Sequence, residues 1–371
     1  MNFLIISHAE HKVFNNKLYA YAPYVREMNL WVKYVDSVTV VAPIVNEKLS
    51  EIDNAYLYEN IKFNTIPLIA FTSIKKSIYS IFKLPIIFLT IFKACKKTDH
   101  IHLRCPGNIG LLGCLVQVFF PKKVKTAKYA GNWDPKSKQP ITYKLQKWIL
   151  GNTFLTRNMN VLVYGEWGNQ SKNIKPFFTA SFKEKDKSKI ITRNYDDSLH
   201  FVFVGSLVEG KRPLLSIKII ETLLKKGINA HLKIYGDGIL SKDLKDYIKE
   251  QKLISNISLE GNKSIEIIKE SLKQSHFLLL PSKSEGWPKV IAEAMFFGAI
   301  PIATSISCVP NMLGYGSRGI LIESNINQAT SKIMEALNIL DLNKMSKLAS
   351  GWSQKFTLEY FESEIKKILI H

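Results

Sequence analysis

With 371 residues, 46% of them hydrophobic, the chain can form two ordinary domains that each bury a core, which excludes a disordered or fibrous protein. The formal charge of +20 is lopsided: residues 1–195 hold 29 Lys+Arg against 12 Asp+Glu, a net +17, and residues 196–371 hold 22 against 19, a net +3. That balance suits an anionic partner for the first half, such as a phospholipid surface, a phosphorylated lipid or nucleic acid, although an AT-rich coding sequence would also favour lysine.

The first stretch, MNFLIISHAEHK, has no basic segment ahead of its apolar run and meets Glu10 early, so it reads as a buried strand and not a secretory leader. Further β-rich runs follow at SVTVVAP (37–43), KFNTIPL (62–68), HIHLRCP (100–106), VKTAKYAG (124–131) and NVLVYG (160–165), alternating with helical patterns over 73–97, 109–120 and 141–150. Apolar strands alternating with helices predict parallel βαβ units. In SIYSIFKLPIIFLTIFKACKK (77–97), Lys83 and Pro85 interrupt the apolar run, leaving about half of the ~20 residues that a membrane span requires. The segment is expected to pack in a core or to lie in a lipid interface with its lysines toward headgroups.

The polar run SFKEKDKSKIITRNYDDSLH (180–199) marks the domain boundary, giving an N-terminal Rossmann-like domain over 1–185, a second over 186–350, and a C-terminal helix over 351–371 that packs back on the first. The second half restarts with the strand FVFVGSL (201–207) and the helix PLLSIKIIETLLKKG (213–227), opened by Pro213 and stopped by Gly227. Strands at HLKIYGDG, ISLEG and FLLLPS then alternate with helices at SKDLKDYIKEQ and IEIIKESLKQS, a Rossmann-like series. Cys95, Cys105, Cys114 and Cys308 show neither a CxxC pair nor zinc-ligand spacing, which fits a reducing cytosol and no metal site.

The strand FLLLPS leads into SKSEGWPKVIAEAMFF, a turn and helix closed by Gly298. Ligands of open parallel sheets bind beyond the carboxyl ends of the strands, so this turn faces a ligand. Pro288 suits the first helical position, leaving the amides of Lys289 and Val290 to hold a phosphate. Glu285 and Glu293 repel phosphate but accept hydrogen bonds from sugar hydroxyls. Phosphate between two hydroxyl-binding carboxylates describes a nucleotide sugar; the plainer alternative makes Glu285 a helix cap and Glu293 a surface residue. After FVFVGSL, Gly205, Lys211 and Arg212 form a second group suited to a diphosphate.

The runs FVGSLVEGKRPLLSIKIIETLLKKG, LKIYGDG, SLEGN and LLLPSKSEGWPKVIAEAMFFGAIPIAT together resemble the donor half of family 4 retaining glycosyltransferases, over about residues 200–325. The resemblance implies an α/β GT-B fold, two Rossmann-like domains facing across a cleft. It also implies that Glu285 binds hydroxyls of the transferred sugar, Glu293 the nucleotide ribose and Lys211 the diphosphate. The Gly286–Trp287 turn and the Lys289 and Val290 amides complete that pocket, with backbone near Gly236 and Asn262 around the base. Two features depart from the family pattern: Ser206 stands where many members have arginine, and HAEHKVFNNKLYAYAPYVRE replaces the N-terminal glycine-rich turn. The implied chemistry is metal-independent transfer with retention, the leaving diphosphate acting as base while Lys211, Arg212 and helix amides neutralise its charge.

In the first half, His102 and Arg104 end one strand and Asn132 and Asp134 another, so His102 and Asp134 are expected either to face acceptor and sugar or to satisfy turns, as is His8. The resulting expectation is an enzyme moving a sugar from a UDP-sugar, or alternatively a GDP-sugar, to a carbohydrate or lipid-linked acceptor in bacterial surface polysaccharide synthesis. It would work in the cytoplasm, peripherally on the inner face of the membrane, with anionic lipid but no nucleic acid as a partner. The alternatives are a nucleotide-sugar 2-epimerase on the same fold and a non-catalytic membrane-docking or nucleotide-sugar-sensing protein.

Overall fold

The computed structural model describes residues 1–50 and 52–370, and the chain divides into two compact units, Met1–Phe177 with Glu362–His371, and Phe178–Phe361. In the first unit the order is β1 (Asn2–Ile6), β2 (His11–Phe14), β3 (Lys17–Tyr21), α1 (Ala22–Trp31), β4 (Ser37–Pro43), β5 (Asp53–Ala55), β6 (Ile61–Ile66) and α2 (Ile74–Lys97). There follow β7 (His100–Cys105), α3 (Asn108–Val116), β8 (Val124–Tyr129), α4 (Ile141–Gly151), β9 (Met159–Tyr164) and β10 (Ile174–Phe177).

Seven of these strands form one parallel sheet in the order β10-β9-β8-β7-β1-β4-β6. Its central strands are buried along almost their whole length, as parallel strands covered on both faces must be. The chain winds outward from β1 to β6 in one direction and from β7 to β10 in the other. Right-handed crossovers therefore put α2, α3 and α4 together on one face. Ile87 and Ile91 of α2, Ile109 and Cys114 of α3 and Ile149 and Leu150 of α4 share a single core cluster with Leu4, Ile6 and Leu103 of the sheet.

Two features of this unit differ from the sequence reading. The segment replacing the glycine-rich turn is an antiparallel hairpin, β2–β3, extended by β5. Its two-residue loop, Asn15–Asn16, has φ of 47° and 57°, the left-handed pair that a tight hairpin turn demands and asparagine tolerates. The second is α2, a continuous helix of 24 residues with Pro85 inside it, long and apolar enough to cross a membrane by length and composition alone. The interruption inferred from Lys83 and Pro85 is thus corrected: a proline removes one helical hydrogen bond, and the exposed turn around it continues.

The second unit continues with β11 (Leu199–Val204), α5 (Pro213–Lys225), β12 (Ala230–Tyr235), α6 (Ser241–Glu250), β13 (Ile257–Gly261), α7 (Ile265–Gln274), β14 (Phe277–Leu280) and α8 (Lys289–Phe296). It closes with β15 (Ile300–Thr304), α9 (Val309–Met312), β16 (Ile320–Ile322), α10 (Ile326–Ile339), α11 (Leu342–Ser353) and the start of α12 (Leu358–Ile370). Its six strands are all parallel, in the order β13-β12-β11-β14-β15-β16. The order reverses between β11 and β14, where such sheets open a ligand site.

The polar run 180–199 is no free linker. Phe182 is buried against Phe296 and Phe297, and the Arg193 guanidinium donates to the carbonyls of Gly298, Lys273 and Phe297 at 2.7–3.0 Å.

Candidate functional site

The carboxyl edge of the second sheet brings three loops together. Gly205 follows β11, Gly236 follows β12, and the two backbones touch: a Cβ on Gly236 would lie 2.0 Å from the Gly205 carbonyl oxygen. Gly236 also holds φ at 130°, so only glycine serves there. Its amide donates to Gly261 O at 2.9 Å, fixing the end of β13, after which Asn262 is exposed.

Across the reversal point, the turn after β14 is tied to the loop after β11. The Lys283 amide donates to Gly210 O at 2.8 Å, and the Lys211 ammonium donates to Glu285 Oε1 at 2.6 Å. The Glu285 side chain is 8% exposed and that of Lys211 31%. An ammonium has three donors, and this pair uses one, so Lys211 both holds the carboxylate and faces outward. Arg212 caps α5 in a left-handed conformation, φ 54°, with its guanidinium donating to the Ser324 hydroxyl.

Pro288, expected at the first helical position, is instead the N-cap of α8, a shift of one residue caused by its extended ψ of 90°. No side chain caps this helix, which leaves the Lys289 and Val290 end of its dipole toward the turn. Glu285 is therefore not the cap, and the plainer alternative for it falls. Trp287 stacks on Trp352 of α11 at 6.2 Å and meets Phe356 edge-on, which braces the Gly286–Trp287 turn from below.

Three further residues steady this edge that the sequence did not single out. The Thr304 hydroxyl donates to Ser282 O at 2.6 Å, joining the ends of β15 and β14. The Cys308 thiol donates to Gly286 O at 3.0 Å, and burial pushes that thiol up to about 12, so it stays protonated. Ser181 donates to Glu293 Oε1, while burial raises the Glu293 carboxyl above its usual range. These are long-range pairings of small residues, which no local spacing announces.

The candidates in the first unit are placed differently. His102 is the third residue of β7, fully buried, bonded to the Thr126 hydroxyl at 2.8 Å and packed 4.5 Å from the Trp31 ring. It sits in the core and not at the strand end, and burial, then the Arg104 charge, hold its imidazole well below 6.5. Arg104 is paired with Glu27 of α1 at 2.6 Å. Asp134 closes a turn, its Oδ1 accepting from the Lys136 amide at 2.8 Å while its own amide bonds Asn132 Oδ1. The His8 ring lies against Gly107. Among the described residues, no group of three or more His, Cys, Asp or Glu side chains is placed to hold a metal ion.

Residues 184–350 match the family model described as "Glycosyl transferases group 1". Over those residues the chain is similar to group 1 glycosyl transferases. An uncharacterized glycosyltransferase of Methanocaldococcus jannaschii is 31% identical over 49% of this chain and 50% of its own. An Escherichia coli relative, "UDP-Gal:alpha-D-GlcNAc-diphosphoundecaprenol alpha-1,3-galactosyltransferase", is 28% identical over 47% of each chain. The chain thus spans about half the length of the curated relatives it matches. Among solved structures, Anabaena HepE in complex with UDP covers 100% of this chain and 99% of its own at a TM-score of 0.68 and 12% identity. With a whole-chain match of two Rossmann-like units, the fold is GT-B, as the sequence led us to expect. The stretch matched by the family model lies within the second unit, and it contains the Lys211–Glu285 edge.

Proposed function

We propose that this chain is a retaining, metal-independent glycosyltransferase of family 4, moving a sugar from a nucleoside-diphosphate sugar to a carbohydrate or lipid-linked acceptor of a bacterial surface polysaccharide. The observation that carries this reading is the Lys211–Glu285 pair at 2.6 Å, set at the carboxyl edge of a parallel sheet beside the uncapped end of α8. Lys211, with Arg212 beside it, neutralises the diphosphate as it leaves, and the Lys289 and Val290 amides share that charge. Glu285 accepts from sugar hydroxyls, and Glu293 from the ribose. The touching backbones of Gly205 and Gly236 let a flat or extended ligand approach closely, with Asn262 beside the base.

Retention then follows if the departing diphosphate takes the acceptor proton as the acceptor attacks the same sugar face. Proton, glycosidic bond and leaving group balance within donor and acceptor. UDP is our first choice of nucleotide, since the Anabaena neighbour was solved with it, and a UDP-galactose enzyme acting on a diphosphoundecaprenol acceptor is among the relatives. A lipid-linked acceptor would put the work on the cytoplasmic face of the membrane.

A thermal-shift panel of UDP, GDP and ADP tests the donor site. At a hundredfold excess over Kd, the right nucleotide stabilises by about 2.7 kcal/mol, or roughly 5–10 °C for a unit of this size. Stabilisation by one of them, reduced in Lys211→Ala, is the expected result. No response to any nucleotide would overturn the assignment and favour a non-catalytic protein.

A further inference from the structure

The helical layer on one face of the first sheet is apolar on two sides. Its inner side packs into the core, where Ile87, Ile91 and Cys95 of α2 are fully buried. Its outer side carries a second stripe. On α2, Ile78, Phe82, Ile86 and Leu89 fall at helical spacing and are all exposed, Phe82 to 79%. On α4, Ile141, Leu145 and Trp148 repeat the pattern, Ile141 at 83% and Trp148 at 62%. Between them Phe119, 63% exposed, follows α3 and meets Phe88 and Phe92 of α2 at 6.2 and 6.0 Å. Phe119 thus joins the α2 stripe, and α4 adds a second exposed stripe on the same helical layer, a concentration of exposed apolar residues that marks an interaction surface.

The charge of this stretch is mostly positive. Residues 74–160, which build the layer and the strands beneath it, contain sixteen Lys+Arg, of which Arg104, Lys125 and Lys128 are buried, and two acids, Asp99 and Asp134. Lys75 and Lys76 at the start of α2 and Lys93, Lys96 and Lys97 at its end are exposed.

We propose that the outer face of the α2–α3–α4 layer docks this chain on an anionic lipid bilayer, with Phe82, Phe119 and Trp148 entering the interface and the flanking lysines meeting headgroup phosphates. Charge complementarity selects this occupant. A second copy using the same face would set the same lysines against one another. A span is ruled out by packing, because carrying α2 across a bilayer would strip Ile87, Ile91 and Cys95 from the sheet. This surface deepens the membrane location put forward above, yet it uses neither donor nor acceptor, so the two ideas can fail separately.

Flotation of the full chain with vesicles of phosphatidylcholine alone, and with about one-third phosphatidylglycerol, tests the face. The anionic vesicles should bind at least ~10-fold more protein, and salt on the order of 0.5 M should reverse much of that gain. Ile78→Ser/Phe82→Ser/Ile86→Ser, exposed positions whose change should leave the melting curve intact, should lower binding about 10-fold or more. Lys75→Gln/Lys76→Gln/Lys93→Gln/Lys96→Gln, which leaves every apolar residue in place, should lose the preference for phosphatidylglycerol. Brominated lipid should quench wild type more than Trp148→Phe. No vesicle binding, or serine and glutamine variants that bind as wild type does, would overturn the proposal. So would an outcome in which the serine variant dissociates a dimer and vesicles bind nothing.

Discussion

Each unit of this molecule holds an ion pair of the same length near the carboxyl edge of its parallel sheet, and the two pairs do opposite work. Arg104–Glu27 in the first unit and Lys211–Glu285 in the second both close at 2.6 Å. The first pair is shut in, with side chains 10% and 8% exposed and the guanidinium 5.4 Å from the Tyr24 ring centroid. The second keeps its cation 31% exposed. A sealed pair can only hold structure, whereas a pair with a wet cation can exchange a water for a ligand oxygen.

The sharpest way to break this comparison is to remove one partner from each pair. Glu27→Ala strands a buried guanidinium and should cost the first unit about 3–5 kcal/mol, read by urea unfolding. Lys211→Ala opens the site to water and should cost no more than about 1–2 kcal/mol of stability. Under the proposed reaction, the same Lys211→Ala change should lower transfer by about 10²–10³-fold. Equal losses of stability from the two variants would sink the distinction.

The two units were also unequally legible. In the second, strand, turn and helix follow in so few residues that spacing alone places Glu285 before α8 and Glu293 within it. The glycines report backbone constraints directly, as Gly236 does by touching Gly205. In the first unit, the sheet could be read from its apolar runs, but the hairpin at Asn15–Asn16 was missed because neither residue is glycine. Arg104 and Glu27 stand 77 positions apart, and His102 meets Thr126 only through the pairing of β7 with β8. Such partners are set by topology, so a strand-end histidine looked like a site residue when it was part of the core.

The buried histidines of the first unit offer a second probe of that sealed interior. Burial lowers His100 to about 4, while in the unfolded chain an imidazole titrates near 6.5. Between these values the unfolded chain binds a proton that the folded one refuses, so the stabilisation is complete above 6.5 and falls as the pH drops toward 4. The loss from His100 alone should approach about 3 kcal/mol at pH 4. His100→Gln should flatten this part of the stability curve, and an unchanged slope would mean that the interior admits water.

The smallest expected effect concerns Glu293, the carboxyl of the second unit's motif that accepts from the Ser181 hydroxyl. Because burial raises its carboxyl, the folded state favours the protonated form, so its contribution falls as the pH rises from about 4.5 through the folded value. Glutamine at this position keeps an oxygen to accept from Ser181 and removes the charge. Glu293→Gln should therefore leave stability at pH 5 within about 0.5 kcal/mol and raise it slightly at pH 8. A ribose hydroxyl bound by the carboxylate would lose a charge-assisted bond, and UDP affinity should drop by roughly 3- to 10-fold. If stability rises while affinity stays fixed, Glu293 serves only the Ser181 contact, and the ligand edge of the second unit ends at Glu285 and the first turn of α8.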